Sequence, residues 1–168
     1  MFRKLQEKLT SPELRHQFLL WLLEDLEPTL AQVVGTSGNH IDLLRELVSL
    51  LRGGSPAPSV LYDLAQRASS LLPPEAYSLL RTQQLALAER PHFTPAELLR
   101  ICAALSVQSA AIAAAEVTSD SPATEATLCA ARVAGYAALC AGTDPHEAVR
   151  RAFERQEDKL TELMDSAP

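Results

Sequence analysis

Apolar residues in this chain recur at spacings of three and four, the period of a helix face, and not at the spacing of two that marks a half-buried strand. Val149, Phe153, Gln156, Leu160 and Leu163 follow one another at intervals of 4, 3, 4 and 3, a heptad-like seam with one polar member. Between 126 and 141 the only charged residue is Arg132. There Cys129, Val133, Tyr136 and Cys140 form one stripe, and Ala126, Ala130, Ala134, Ala137, Ala138 and Ala141 form another nearly opposite. A helix apolar on most sides predicts a central position. The preceding apolar stretch offers Ala110, Ala111, Ala113, Ala114 and Ala115, so the two helices are expected to pack antiparallel at close range. Leu14, Phe18, Leu19, Leu20, Trp21, Leu22, Leu23 and Leu26 make an earlier helix apolar on several sides.

Prolines punctuate these runs. Pro12, Pro28, Pro56, Pro74, Pro95, Pro122 and Pro145 stand where helices should begin, five of them after Ser, Thr or Asp. The amide that proline lacks is unpaired in a first turn anyway, and the preceding side chain can accept from the other free amides. Helices are therefore expected over about 2–9, 12–27, 28–34, 39–52, 56–72, 74–89, 95–117, 122–141 and 145–164. Thr94 with Glu97, and Asp144 with Glu147, have the spacing of a capping box, which gives both glutamates a structural task. The expected fold class is all-α. It is read as a single antiparallel bundle of six to eight proline-initiated helices over residues 1–168, with 1–10 as a loosely attached N-terminal helix and no β-sheet.

Composition narrows the function classes. The chain has 168 residues, 15 basic and 21 acidic, for a net charge of -6. No basic stripe is present to neutralise phosphates, so no nucleic-acid partner is expected. An acidic surface instead favours a basic protein partner. Three cysteines without CxxC spacing, Cys102, Cys129 and Cys140, read as buried free thiols in a reducing, cytoplasmic setting. The longest uncharged run, 101–115, falls short of the ~20 residues needed to span a bilayer, so no membrane association is expected.

Searches for chemistry return little. The sequence holds no GxGxxG, no P-loop, no HExxH and no GxSxG. His16, His40, His92 and His146 lie far apart, and no metal or cofactor is expected. The one local concentration of acids is Glu24, Asp25 and Glu27. On the expected boundary before Pro28 these sit at a helix C-terminus, where the dipole disfavours negative charge. Acids placed against local energetics, next to Trp21 as an anchor, make a candidate partner-binding patch. Arg132, a charge on a central helix, needs a carboxylate, and Glu116 is its expected structural partner. Gln156, mid-seam, is a candidate for fixing register or partner number.

The stretch 110–152, with its alanine density, its Ser/Asp/Pro turn and the pair Gly135-Tyr136, resembles the helical hairpin of small bacterial immunity proteins. That resemblance covers about a quarter of the chain. It implies an all-helical, non-enzymatic protein that neutralises a toxin by binding it, and it carries no site residue over. The leading expectation is thus a soluble helical protein acting by protein–protein contact. A self-associating structural or regulatory bundle (a homodimer through the Trp21 or Leu160 helix) and an enzyme or small-ligand binder with an interhelical pocket are the alternatives.

Overall fold

The computed structural model describes residues 11–74, 93–116 and 121–166, and among these six helices and no β-strand form. They are α1 (Pro12–Val34), α2 (Asn39–Arg52), α3 (Pro58–Ser69), α4 (Pro95–Ala115), α5 (Ser121–Ala141) and α6 (Pro145–Ser166). The helices expected over 2–9 and, apart from Pro74 itself, over 74–89 lie outside the described residues.

The start of α1 follows its sequence signal, since the Ser11 hydroxyl accepts from the Leu14 amide at 3.4 Å. Its end does not. Pro28 lies inside α1, so the two helices expected on either side of it are one. Proline in a helix interior costs about 3 kcal/mol through its missing amide and its clash with the carbonyl four residues back. Here Pro28 and Glu24 are both exposed, so the freed carbonyl opens towards water. Continuing the helix extends the buried stripe Phe18, Leu22 and Leu26 to Leu30. Burying Leu30 alone is worth about 1.5–3 kcal/mol, the same order as the cost of the proline. Gly35, at φ 87° and ψ -179°, takes a positive-φ conformation that favours glycine and finally ends the helix.

The helix expected from Pro56 begins at Pro58 instead. The second proline forces Ala57 out of the helical region, and Ala57 is extended at φ -63°, ψ 139°. The capping box at Thr94 forms in full: its hydroxyl accepts from the Glu97 amide at 3.2 Å, while Glu97 accepts from the Thr94 amide at 3.3 Å. At Asp144 only half of one forms. Asp144 accepts from the His146 and Glu147 amides, but the Glu147 carboxylate turns to Arg150 and Arg151. The Arg150 hydrogen bond holds Glu147 below the usual carboxylate range.

The expected centre of the fold shifts by one helix. In α4, 13 of 21 residues are buried, against 11 of 21 in α5. Helix α4 touches α1, α2, α3 and α5, whereas α5 touches α1, α4 and α6. The α4–α5 contact is the most extensive in the fold. Small side chains let the backbones approach, and the buried Ser106 hydroxyl reaches across to the Ala126 carbonyl at 2.9 Å. By length and composition α4 is also apolar enough to cross a membrane. Its start at Pro95 makes it longer than the uncharged run alone, and its best window has a mean hydropathy of 1.7. Of that window 72% is buried inside the fold.

The seam of α6 faces inward. Val149, Ala152, Gln156 and Leu160 are buried, with Phe153 and Leu163 packed on the same core. This stripe is consumed by the chain's own packing. Cys102 and Cys129 are buried as expected, but Cys140, near the end of α5, is exposed.

Candidate functional site

Because α1 runs through Pro28, the acidic cluster is not at a helix end. Glu24, Asp25 and Glu27 lie mid-helix, and α1 terminates only at Val34. The dipole argument for a specially placed acidic patch therefore does not apply. Successive positions on α1 point the three carboxylates to different neighbours, and each meets an arginine. Arg52 of α2 donates to Glu24 at 3.3 Å, Arg45 of α2 to Glu27 at 2.9 Å, and Arg155 of α6 to Asp25 at 3.4 Å. Arg45 also donates to the Thr36 carbonyl at 2.7 Å, tying the α1–α2 connection to the pair.

These pairs are exposed, with side-chain accessibilities from 35% to 62%, so each stabilises the fold by about 0–1 kcal/mol. Between α1 and α2 the Glu24–Arg52 and Glu27–Arg45 pairs frame a groove of about 470 Å³. Glu24 and Glu27 form one wall, Arg45 and Arg52 the other, with Val48 and Ser49 between. Trp21, one turn earlier on α1, is half-buried and stacks on Phe18 with ring centroids 5.8 Å apart. The sequence thus located the acids, but the arginines stand 18, 28 and 130 positions away and are brought in by the helix crossings.

The expected Glu116–Arg132 pair does not form. The Glu116 carboxylate accepts from the Tyr62 hydroxyl at 2.8 Å, and its backbone carbonyl accepts from Arg15 Nη1 at 3.0 Å. Arg132, 6% exposed on α5, has a fully buried Nε without a hydrogen-bond partner. Its charge is felt by Cys102 and Cys129, where it opposes the effect of burial. Burial prevails: it pushes the Cys102 thiol up to about 12 and raises Cys129 well above the ordinary cysteine value. Both are unreactive protonated thiols at neutral pH.

Arg15 is the buried charge that sequence reading missed. It is 2% exposed, and it meets the C-cap residue of α4, where the helix dipole favours a cation. The signal was present: Arg15 stands three, four and seven positions before Phe18, Leu19 and Leu22, on the buried stripe of α1. His16 beside it donates from Nε2 to the Leu51 carbonyl at 2.8 Å, near the end of α2.

A second, more apolar cleft of about 390 Å³ is lined by His40, Leu72, Phe93, Arg100 and Ile101 among others. Burial and then the nearby Arg100 charge lower the pKa of His40. Among the described residues no group of three or more His, Cys, Asp or Glu side chains is placed to hold a metal ion. The two interhelical clefts thus offer ion pairs, one perturbed histidine and apolar walls. No protein-family model, no curated protein and no solved structure matches this chain.

Proposed function

We propose that the chain is a non-enzymatic helical protein that binds another protein through the charged groove between α1 and α2. The observation that carries this reading is the groove itself: two walls of opposite charge around a floor of buried Val48 and exposed Ser49. Ion pairs this exposed contribute little to folding, so they can exchange for pairs with an incoming chain at small cost. Since every acid of the cluster already faces an arginine, the partner surface carries both signs and is not simply basic. Its action is occlusion, the form that immunity-type inhibition takes. The single antiparallel bundle belongs to the same proposal. What supports it for α4 and α5 is that Ser106 lies against Ala126 while the earlier Cys102 senses the later Arg132. An exposed, unpaired Cys140 accords with a reducing, cytoplasmic location.

A photo-crosslinking residue in place of Ser49 tests the groove inside cells. One discrete crosslinked protein is expected, lost when Glu24→Lys and Glu27→Lys are combined and kept with Glu125→Lys on α5. A crosslink only to a second copy of the chain would move the reading to self-association. A crosslinking pattern unchanged by the double reversal would refute the groove as the site.

A further inference from the structure

The polar member of the α6 seam points to a site of its own. Gln156 is 3% exposed, and its amide nitrogen donates to the Thr127 carbonyl of α5 at 3.1 Å. Its amide oxygen is fully buried and has no hydrogen-bond partner in the protein. Such an oxygen keeps its full desolvation penalty, and buried acceptors are almost always matched by a donor. Gln156 lines a narrow crevice where α1, α5 and α6 meet, with Ala130 and Ala134 on one side and Thr29 on another. The Asp25–Arg155 pair stands in the same lining. The crevice offers about 10 Å³ to the centre of a water-sized sphere, the space of about one water molecule.

We propose that this crevice is a binding site for a single water molecule, which donates to Gln156 Oε1 and bridges to α1. Water matches the space and supplies the missing donor. Its further hydrogen bonds have candidates in the lining, the Thr29 hydroxyl and the Asp25 carboxylate, as a buried water requires. An apolar ligand would leave the oxygen unmatched. The polar residue in an otherwise apolar seam then has a task. Through its nitrogen Gln156 fixes α6 to α5, and through the water it fixes α6 to α1. A slip of α6 by one turn would put Ala152 or Leu160 in its place and lose both links.

Water-selective nuclear Overhauser spectroscopy on the isotope-labelled full chain tests this. The Gln156 side-chain amide protons are expected to show cross-peaks to a long-lived water. Those peaks should vanish in Ala134→Leu, which fills the crevice and keeps Gln156. A high-resolution crystal structure should place a water oxygen about 2.7–3.2 Å from Oε1. Absence of the cross-peaks in the wild-type protein overturns the proposal, as does a crystal structure in which a protein donor or an apolar side chain occupies the site. If Ala134→Leu does not fold, the wild-type spectrum and crystal structure decide the matter alone.

Discussion

Replacing Arg15 by methionine isolates what a buried guanidinium does for this fold. Methionine keeps most of the apolar stem and removes the charge and its donors. Arg15 Nη1 lies 3.0 Å from the Glu116 carbonyl, with the side chain 2% exposed. A hydrogen bond to a charged donor contributes about 1.5–3 kcal/mol, and a cation at a partly buried helix C-terminus up to about 2 kcal/mol. Against these stands the desolvation of the guanidinium, several kcal/mol, which removes part of the gain. The expected net loss for Arg15→Met is about 2 kcal/mol, or about 4–8 °C in Tm for a chain of this size. Arg15→Ala should cost about 2 kcal/mol more through the lost stem and the space it leaves. Urea unfolding followed by circular dichroism measures both differences. The gap between wild type and Arg15→Met should change little with added salt, because buried charges are weakly screened. If Arg15→Met is as stable as wild type or more so, desolvation cancels the bond and the guanidinium is not a net stabiliser.

Two further outcomes follow from the titratable groups. With a disulfide reagent at pH 8, native protein should release one equivalent of chromophore from Cys140. All three cysteines should react in denaturant, since Cys102 and Cys129 are buried and Cys102 is pushed up to about 12. Two fast thiols in native protein would contradict this packing. Burial and Arg100 lower the pKa of His40 from its ordinary 6.5, so the unfolded chain takes up the proton first as pH falls. Stability conferred by neutral His40 is complete above about pH 6.5 and declines as pH falls through that value towards the lowered one. Tm measured between pH 7.5 and 5 should therefore fall less in His40→Gln than in wild type, and equal declines would remove His40 as the cause.

Where a proline marks a helix was legible; what a proline does inside one was not. Pro12, Pro95 and Pro145 open helices because nothing competes with the local geometry. Pro28 does not, because burial of Leu30 beyond it favours continuing, a balance that depends on which side faces the core. Pro56 gave way to Pro58 for a local reason that the Pro-Ala-Pro order contains. The capping box at Thr94 was readable from spacing alone, while Glu147 had two arginines within a turn competing for it. The candidate groove was half legible. Its acidic wall, Glu24 and Glu27, lies within one turn of sequence, but Arg45 and Arg52 face it only through the crossing of α1 with α2. For the same reason the carboxylate that spacing offers to Arg132, Glu116, is taken by the Tyr62 hydroxyl.

Helix α4 is closed at both ends by side chains: the Thr94–Glu97 box at its start, and Arg15 on the carbonyl of its C-cap. Helices normally lose order from their ends inward, one turn at a time, and a side-chain bond at each terminus opposes that process. Its amide protons should then exchange with deuterium only when the whole fold opens. The exchange rate of α4 would report the global unfolding free energy directly, and every other helix could be ranked against it.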